Sequence, residues 1–303
     1  MEQSFLANGK LLLIGEYIVL DGAQSLALPA KFGQNMHVSS FDAEEEEIIW
    51  NAFLVDQSSW FNAIFDAKTL DIKGTTNPKL AFGLQQILMQ AIDQNPTFFL
   101  AKKSYQITTK LTYPQQWGLG SSSTLVALLA KWMKIDPYIL NQKTFATSGY
   151  DVACAYENKP ILFRNTPEIT VTYPQLKWNF FDELYFVYLN QKQDTQAAVG
   201  QHYRDRPKNW AMIRDLSDLV ERLPSVEKLN DFETILDEYQ AILGDFMQLP
   251  NVKEERFPEY AGCVKSLGTW GGDFVLMTYR DGMHAYLEEK GYSTILPYNE
   301  LVF

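Results

Sequence analysis

The stretch Pro114-Gln115-Gln116-Trp117-Gly118-Leu119-Gly120-Ser121-Ser122-Ser123, followed at once by an apolar run at residues 124–130, is the most informative part of the chain. Glycines at 118 and 120 let the backbone turn with its amides pointing inward, and the serines add further donors. A helix beginning here presents the positive end of its dipole to the loop, so the segment reads as an anion cradle with phosphate as its guest. It is not a Walker loop, because no Gly-Lys-Ser/Thr closes it. Taken alone, a glycine-serine turn ahead of a helix is also what ordinary capping looks like.

Three other segments extend the pattern. Near the N-terminus runs Asn8-Gly9-Lys10-Leu11-Leu12-Leu13-Ile14-Gly15-Glu16-Tyr17, and near the C-terminus Lys265-Ser266-Leu267-Gly268-Thr269-Trp270-Gly271-Gly272-Asp273. Between them lies Ser148-Gly149-Tyr150-Asp151-Val152-Ala153. In this order the segments resemble the kinases of galactose, homoserine, mevalonate and phosphomevalonate, the GHMP superfamily. Tyr17 and the Gly-Gly-Asp ending at Asp273 look most like the mevalonate and phosphomevalonate kinase branch. The resemblance spans most of the chain. It implies an α+β, two-domain GHMP kinase fold with a ferredoxin-like C-terminal domain, divided here into residues 1–178 and 179–303.

The same resemblance implies an ATP-dependent small-molecule kinase that uses Mg²⁺ and phosphorylates mevalonate, phosphomevalonate or a related acceptor. Asp151 is carried over as the group that takes or orients the acceptor's proton, and Lys10 as the cation that neutralises charge on the transferred phosphoryl group. Pro114, Gly118, Leu119, Gly120, Ser121, Ser122 and Ser123 would hold the nucleotide, with Ser122 also a Mg²⁺ ligand. Glu16, Tyr17, Lys192, Thr195, Gly268, Gly271 and Gly272 would face the acceptor. Each has an ordinary alternative: a capping turn for Asp151, a surface lysine for Lys10, a charged strand end and core aromatic for Glu16 and Tyr17, a solvated loop for Lys192 and Thr195.

Two departures from the family pattern matter. The Mg²⁺-binding glutamate that mevalonate kinases carry before the catalytic aspartate falls near Leu140. Asp136 is the sole acid between Thr124 and Thr147. Either Asp136 substitutes, or the metal relies on Ser122, phosphates and water. Trp270 stands where a small residue is usual, which predicts a narrowed pocket. A diphosphomevalonate decarboxylase and a catalytically silent metabolite sensor on the same fold remain as alternatives.

Composition agrees with a small-molecule enzyme. At 303 residues and 46% hydrophobic, the chain can bury a large core. A net charge of −11 argues against nucleic acid or an anionic membrane as partner. Two cysteines far apart point to a reducing compartment. With no spanning-length apolar run, the expected location is cytoplasmic and the expected state a monomer or homodimer. The patterning predicts strands at residues 10–13, 17–20, 105–111, 184–189 and 274–279, a helix from 124 to 133, and two helices over 210–249 separated near Pro224.

Overall fold

Alternation of apolar residues sets the first sheet. In β3 (Glu47–Phe53) Ile48, Trp50 and Ala52 point inward, and in β4 (Ser59–Asp66) Phe61, Ala63 and Phe65 do the same. The computed structural model describes residues 2–99, 102–191 and 203–303. The chain divides into two compact units, one made of Met1–Gly9, Phe32–Gln115 and Leu119–Tyr156, the other of Lys10–Lys31, Gln116–Gly118 and Glu157–Phe303. Both β1 (Glu2–Ile14) and β2 (Ser25–Phe41) contribute residues to each.

In the first unit the strand order is β5 (Ile72–Thr75), β4, β3, β6 (Ser104–Leu111), β2. β3 runs parallel to β6, with Ile48 opposite Tyr105, whereas β2 is antiparallel to β6 from Gln34 opposite Leu111 to Phe41 opposite Ser104. The helices are α1 (Pro78–Gln94), α2 (Ser121–Met133), α3 (Pro137–Thr144) and α4 (Tyr150–Cys154). α1 starts where the Asn77 side chain accepts from Leu80 N–H, with Pro78 at its first position. Trp50, Phe65, Leu88, Ile107, Leu129, Trp132, Leu140 and Val152 share one core.

In the second unit β2 pairs with β7 (Ile161–Arg164) at residues 25–27, and β7 with β8 (Thr170–Thr172). A separate antiparallel sheet has the order β10 (Val264–Ser266), β11 (Phe274–Thr278), β9 (Leu184–Tyr188), β12 (Ile295–Pro297). α5 (Trp210–Arg222) and α6 (Leu229–Met247) are separated by a 3-10 turn, Leu223–Ser225, that contains Pro224. Shorter helices α7 (Val252–Arg256), α8 (Met283–Glu289) and α9 (Tyr298–Leu301) follow. The mixed sheets and helices make this an α+β chain. Among the described residues no helix is long and apolar enough to cross a membrane.

Two elements differ from the sequence expectation. Residues 18–21 form a 3-10 turn rather than a strand. Gly15 at φ 102° and Tyr17 at φ 65° take the backbone out of the β region on either side of Glu16. The helix expected from residue 124 begins at Ser121, because Gly120 itself occupies the N-cap.

Candidate functional site

The loop after β6 reaches α2 through two left-handed glycines, Gly118 at φ 65° and Gly120 at φ 89°. Gly120 offers no side chain, and no side-chain hydrogen bond caps α2. Ser123 Oγ instead donates back to Gly120 O at 2.8 Å, and Thr124 Oγ1 divides its single proton between Ser121 O and Gln34 Oε1. The hydroxyls of Ser121 and Ser122 make no hydrogen bond among the described residues, and Ser122 is exposed. A 13-residue helix thus begins with a bare first turn and two free donors, which fits a phosphate group. Gly9 explains its own place in the sequence: a Cβ there would fall 2.8 Å from Phe32 O and 2.9 Å from Leu119 O, so only glycine lets β1 pass beside the loop.

Asp151 lies in the first turn of α4, which starts at left-handed Gly149. Its Oδ1 accepts from Thr147 Oγ1 and from Val152 N–H, each at 3.0 Å. Thr147 Oγ1 also lies 3.1 Å from Asn141 Oδ1, a buried amide whose Nδ2 returns to Thr147 O. This local frame orients one oxygen of the half-buried carboxylate. Thr147 and Asn141 were not singled out from the sequence. The available signal was a threonine one helical turn ahead of the aspartate.

The two positions weighed for a metal-binding carboxylate lie in different settings. Leu140 is fully buried in the core. Asp136 is the N-cap of α3, its Oδ1 accepting from Tyr138 N–H at 2.7 Å and Ile139 N–H at 3.1 Å.

In the second unit Lys10 Nζ donates to Gly118 O at 3.1 Å, so the ammonium of the opening motif lies against the glycine loop. Glu16 is buried and forms an ion pair with fully buried Lys265, the first residue of the third motif. Lys265 Nζ also donates to Ser266 O at 2.5 Å and lies 5.4 Å from the centre of the Tyr239 ring, whose hydroxyl donates to Glu16 O at 2.9 Å. Glu16 Oε2 is buried and has no hydrogen-bond partner among the described residues. Burial pushes the Glu16 carboxyl up, with the Lys265 ammonium opposing it.

Tyr17 is nearly buried, and its hydroxyl accepts from Trp270 N–H at 2.9 Å. Burial is the main cause that raises its phenol to about 12, so it stays protonated at neutral pH and retains a proton to donate. The positive φ of this bulky residue is uncommon and is held by that hydrogen bond together with the Tyr203 ring 5.4 Å away. Trp270 turns its indole onto α6: Nε1 donates to Pro250 O at 2.7 Å, and a Cβ at Gly244 would meet the ring at 3.3 Å. Gly268 at φ 79° and Gly271 at φ 66° need glycine for their conformation, and Gly272 for space, since a Cβ would sit 2.7 Å from Leu267 O. Gly271 N–H donates to Ser266 Oγ, and Gly268 N–H to Leu12 O. The first and third motifs are therefore stitched together within this unit. Lys192 and Thr195 lie outside the described residues.

No family model matches the chain, and no curated protein sequence does either. Solved structures do match over nearly full length. The mevalonate kinase of Methanococcus jannaschii superposes with a TM-score of 0.69 at 16% identity, covering 98% of this chain and 97% of that one. A Streptococcus pneumoniae phosphomevalonate kinase in complex with phosphomevalonate and AMPPNP gives 0.66 at 15%, covering 97% and 99%. A Lactococcus lactis galactokinase complexed with galactose gives 0.62 at 12%, covering 99% and 93%. At such identities the likeness speaks for architecture alone: the chain shares the fold of these three solved kinases.

Proposed function

We propose that this protein is an ATP-dependent small-molecule kinase whose acceptor is mevalonate, phosphomevalonate or a close relative. The observation that carries the reading is the bare first turn of α2, entered through left-handed Gly120 with the Ser121 and Ser122 hydroxyls free. On a GHMP kinase fold, that is where nucleotide phosphates would be held. Mg²⁺ bound with ATP supplies charge neutralisation of the phosphates. Ser122 offers its exposed hydroxyl to that ion.

Asp151, oriented by Thr147 and Val152 N–H, takes the proton of an attacking hydroxyl, or orients a phosphorylated acceptor whose attacking oxygen carries none, as the oxygen–phosphorus bond forms and the bond from the γ-phosphorus to the ADP oxygen breaks. Lys10 contributes positive charge to the transferred group. Tyr17 and the glycines at 268, 271 and 272 shape the acceptor side, and the Glu16–Lys265 pair holds that side together. The four-stranded antiparallel sheet is read as the ferredoxin-like half of the fold.

The test is ATP turnover against a panel holding mevalonate, phosphomevalonate, galactose and homoserine, with carbon dioxide release followed in parallel. ADP formation that depends on mevalonate or phosphomevalonate, with a phosphorylated product and no carbon dioxide, is the expected result. A sugar outperforming both would overturn the acceptor assignment, carbon dioxide release would select a decarboxylase, and nucleotide binding without any turnover would select a sensor.

A further inference from the structure

Tyr17 is 3% exposed, and its hydroxyl makes one hydrogen bond among the described residues, as acceptor from Trp270 N–H at 2.9 Å. A phenol that accepts this bond keeps its own proton for another oxygen. The ring that carries it stands on a backbone at φ 65°, which a bulky residue keeps only where its surroundings hold it. Those surroundings form a closed circuit within the second unit. Tyr17 leads into the 3-10 turn Ile18–Asp21, where Leu20 N–H donates to Tyr17 O at 3.0 Å. Asp21 ends the turn with 8% of its side chain exposed; its Oδ2 accepts from the Tyr203 hydroxyl at 2.5 Å, and its Oδ1 pairs with Lys208 Nζ at 2.5 Å. Tyr203, itself 2% exposed, lays its ring 5.4 Å from that of Tyr17 and meets Phe246 of α6 edge-on at 5.7 Å. The circuit runs from Tyr17 along the backbone to Asp21, across to the Tyr203 hydroxyl, and back through its ring to Tyr17.

The chain that supplies Tyr203 and Lys208 is itself tied down. Arg206 lies between them and donates from Nη1 to Phe246 O and from Nη2 to Met247 O, each at 2.8 Å, at the end of α6. A phenylalanine at 203 would pack against Tyr17 and Phe246 without needing a carboxylate. What the phenol and Asp21 add is a single fixed position for the ring, because a buried polar network with its members satisfied rigidifies what it holds. Both oxygens of Asp21 are engaged, one of them by a cation, which offsets the cost of burying the charge. We infer that Asp21 and Tyr203 are positioning residues for acceptor binding, holding the Tyr17 ring so that its phenol proton is presented to an oxygen of the acceptor. This rests on the reading of Tyr17 as an acceptor-facing residue and adds to it the groups that set its position.

The experiment is calorimetric titration of the full-length wild type and variants with mevalonate, with phosphomevalonate and, separately, with AMPPNP. Tyr203→Phe and Asp21→Ala should each weaken binding of the acceptor that the wild type takes by about fivefold or more, and shift AMPPNP affinity by less than about twofold. Tyr17→Phe should weaken acceptor binding as well. Adding Tyr203→Phe to Tyr17→Phe should cost less than about a further twofold, because both changes act through one hydroxyl. Fold-changes that multiply in the double variant, unchanged acceptor affinity in Tyr203→Phe, or equal losses of acceptor and AMPPNP would each overturn the inference. Tyr203→Phe keeps the ring in place and decides the matter if Asp21→Ala fails to fold. Wild type that binds an acceptor but forms no ADP would overturn the kinase reading, with the variant affinities still deciding this inference. Wild type that binds AMPPNP but neither acceptor would overturn this inference together with the acceptor assignment, and leave nucleotide binding intact.

Discussion

Replacing Lys265 by methionine removes the partner of a carboxylate that has nowhere else to turn. Glu16 has 2% of its side chain exposed, Lys265 none, and among the described residues Glu16 Oε2 already lacks a hydrogen-bond partner. Breaking a buried pair by deleting one member typically costs about 3–5 kcal/mol, a large part of the roughly 5–15 kcal/mol that holds a domain together. The variant can lessen this by protonating Glu16. From an unfolded pKa of about 4.3, holding the proton costs about 4 kcal/mol at pH 7 and about 1 kcal/mol at pH 5. The sign follows from linkage. Burial already raises the folded-state pKa of Glu16, and loss of the ammonium raises it further. Between about 4.3 and the folded value the native state binds one more proton than the unfolded state, so stability falls as pH rises. Lys265→Met should therefore be far closer to wild type at pH 5 than at pH 7 in urea unfolding. Glu16→Leu should be destabilised as well, because it leaves the Lys265 ammonium buried without its carboxylate. The double variant should recover most of the loss. A pH-independent penalty in Lys265→Met, or a double variant as unstable as the sum of the single variants, would refute the reasoning.

Asp151→Asn should lower turnover by a factor on the order of 100 or more while leaving nucleotide affinity nearly unchanged, measured by ADP release and by AMPPNP titration. Lys10→Met should damage turnover more than nucleotide binding, and equal loss in both would make Lys10 an anchor only. Ser122→Ala should raise the Mg²⁺ concentration needed for half-maximal activity. Asp136→Ala should leave that requirement unchanged and instead lower thermal stability by about 1 kcal/mol, the usual effect of losing an N-cap. Gly118→Ala should be destabilised by at least about 1–2 kcal/mol from its left-handed backbone, with further loss from the overlap with Asp273, read in the same unfolding assay.

Local chemistry was readable in the chain as written. Strand β6 follows from alternation that ends at a glycine-rich turn, the body of α2 from the unbroken apolar run after that turn, and the break between α5 and α6 from Pro224, because periodicity and proline act over a few residues. The run at 17–20 was misread as a strand, since four apolar residues look alike in a strand or a turn. The deciding feature was the left-handed backbone at Gly15 and Tyr17. What remained hidden depends on residues far apart in sequence. Glu16 and Lys265 are separated by 249 positions, and Lys10 and Gly118 by 108. The setting of Trp270 against Pro250 and Gly244 is of the same kind, whereas Asp136 caps its own helix. Whether a charge faces solvent, a partner or a ligand is set by what the rest of the chain brings beside it, through desolvation and Coulomb terms that no short window of sequence contains.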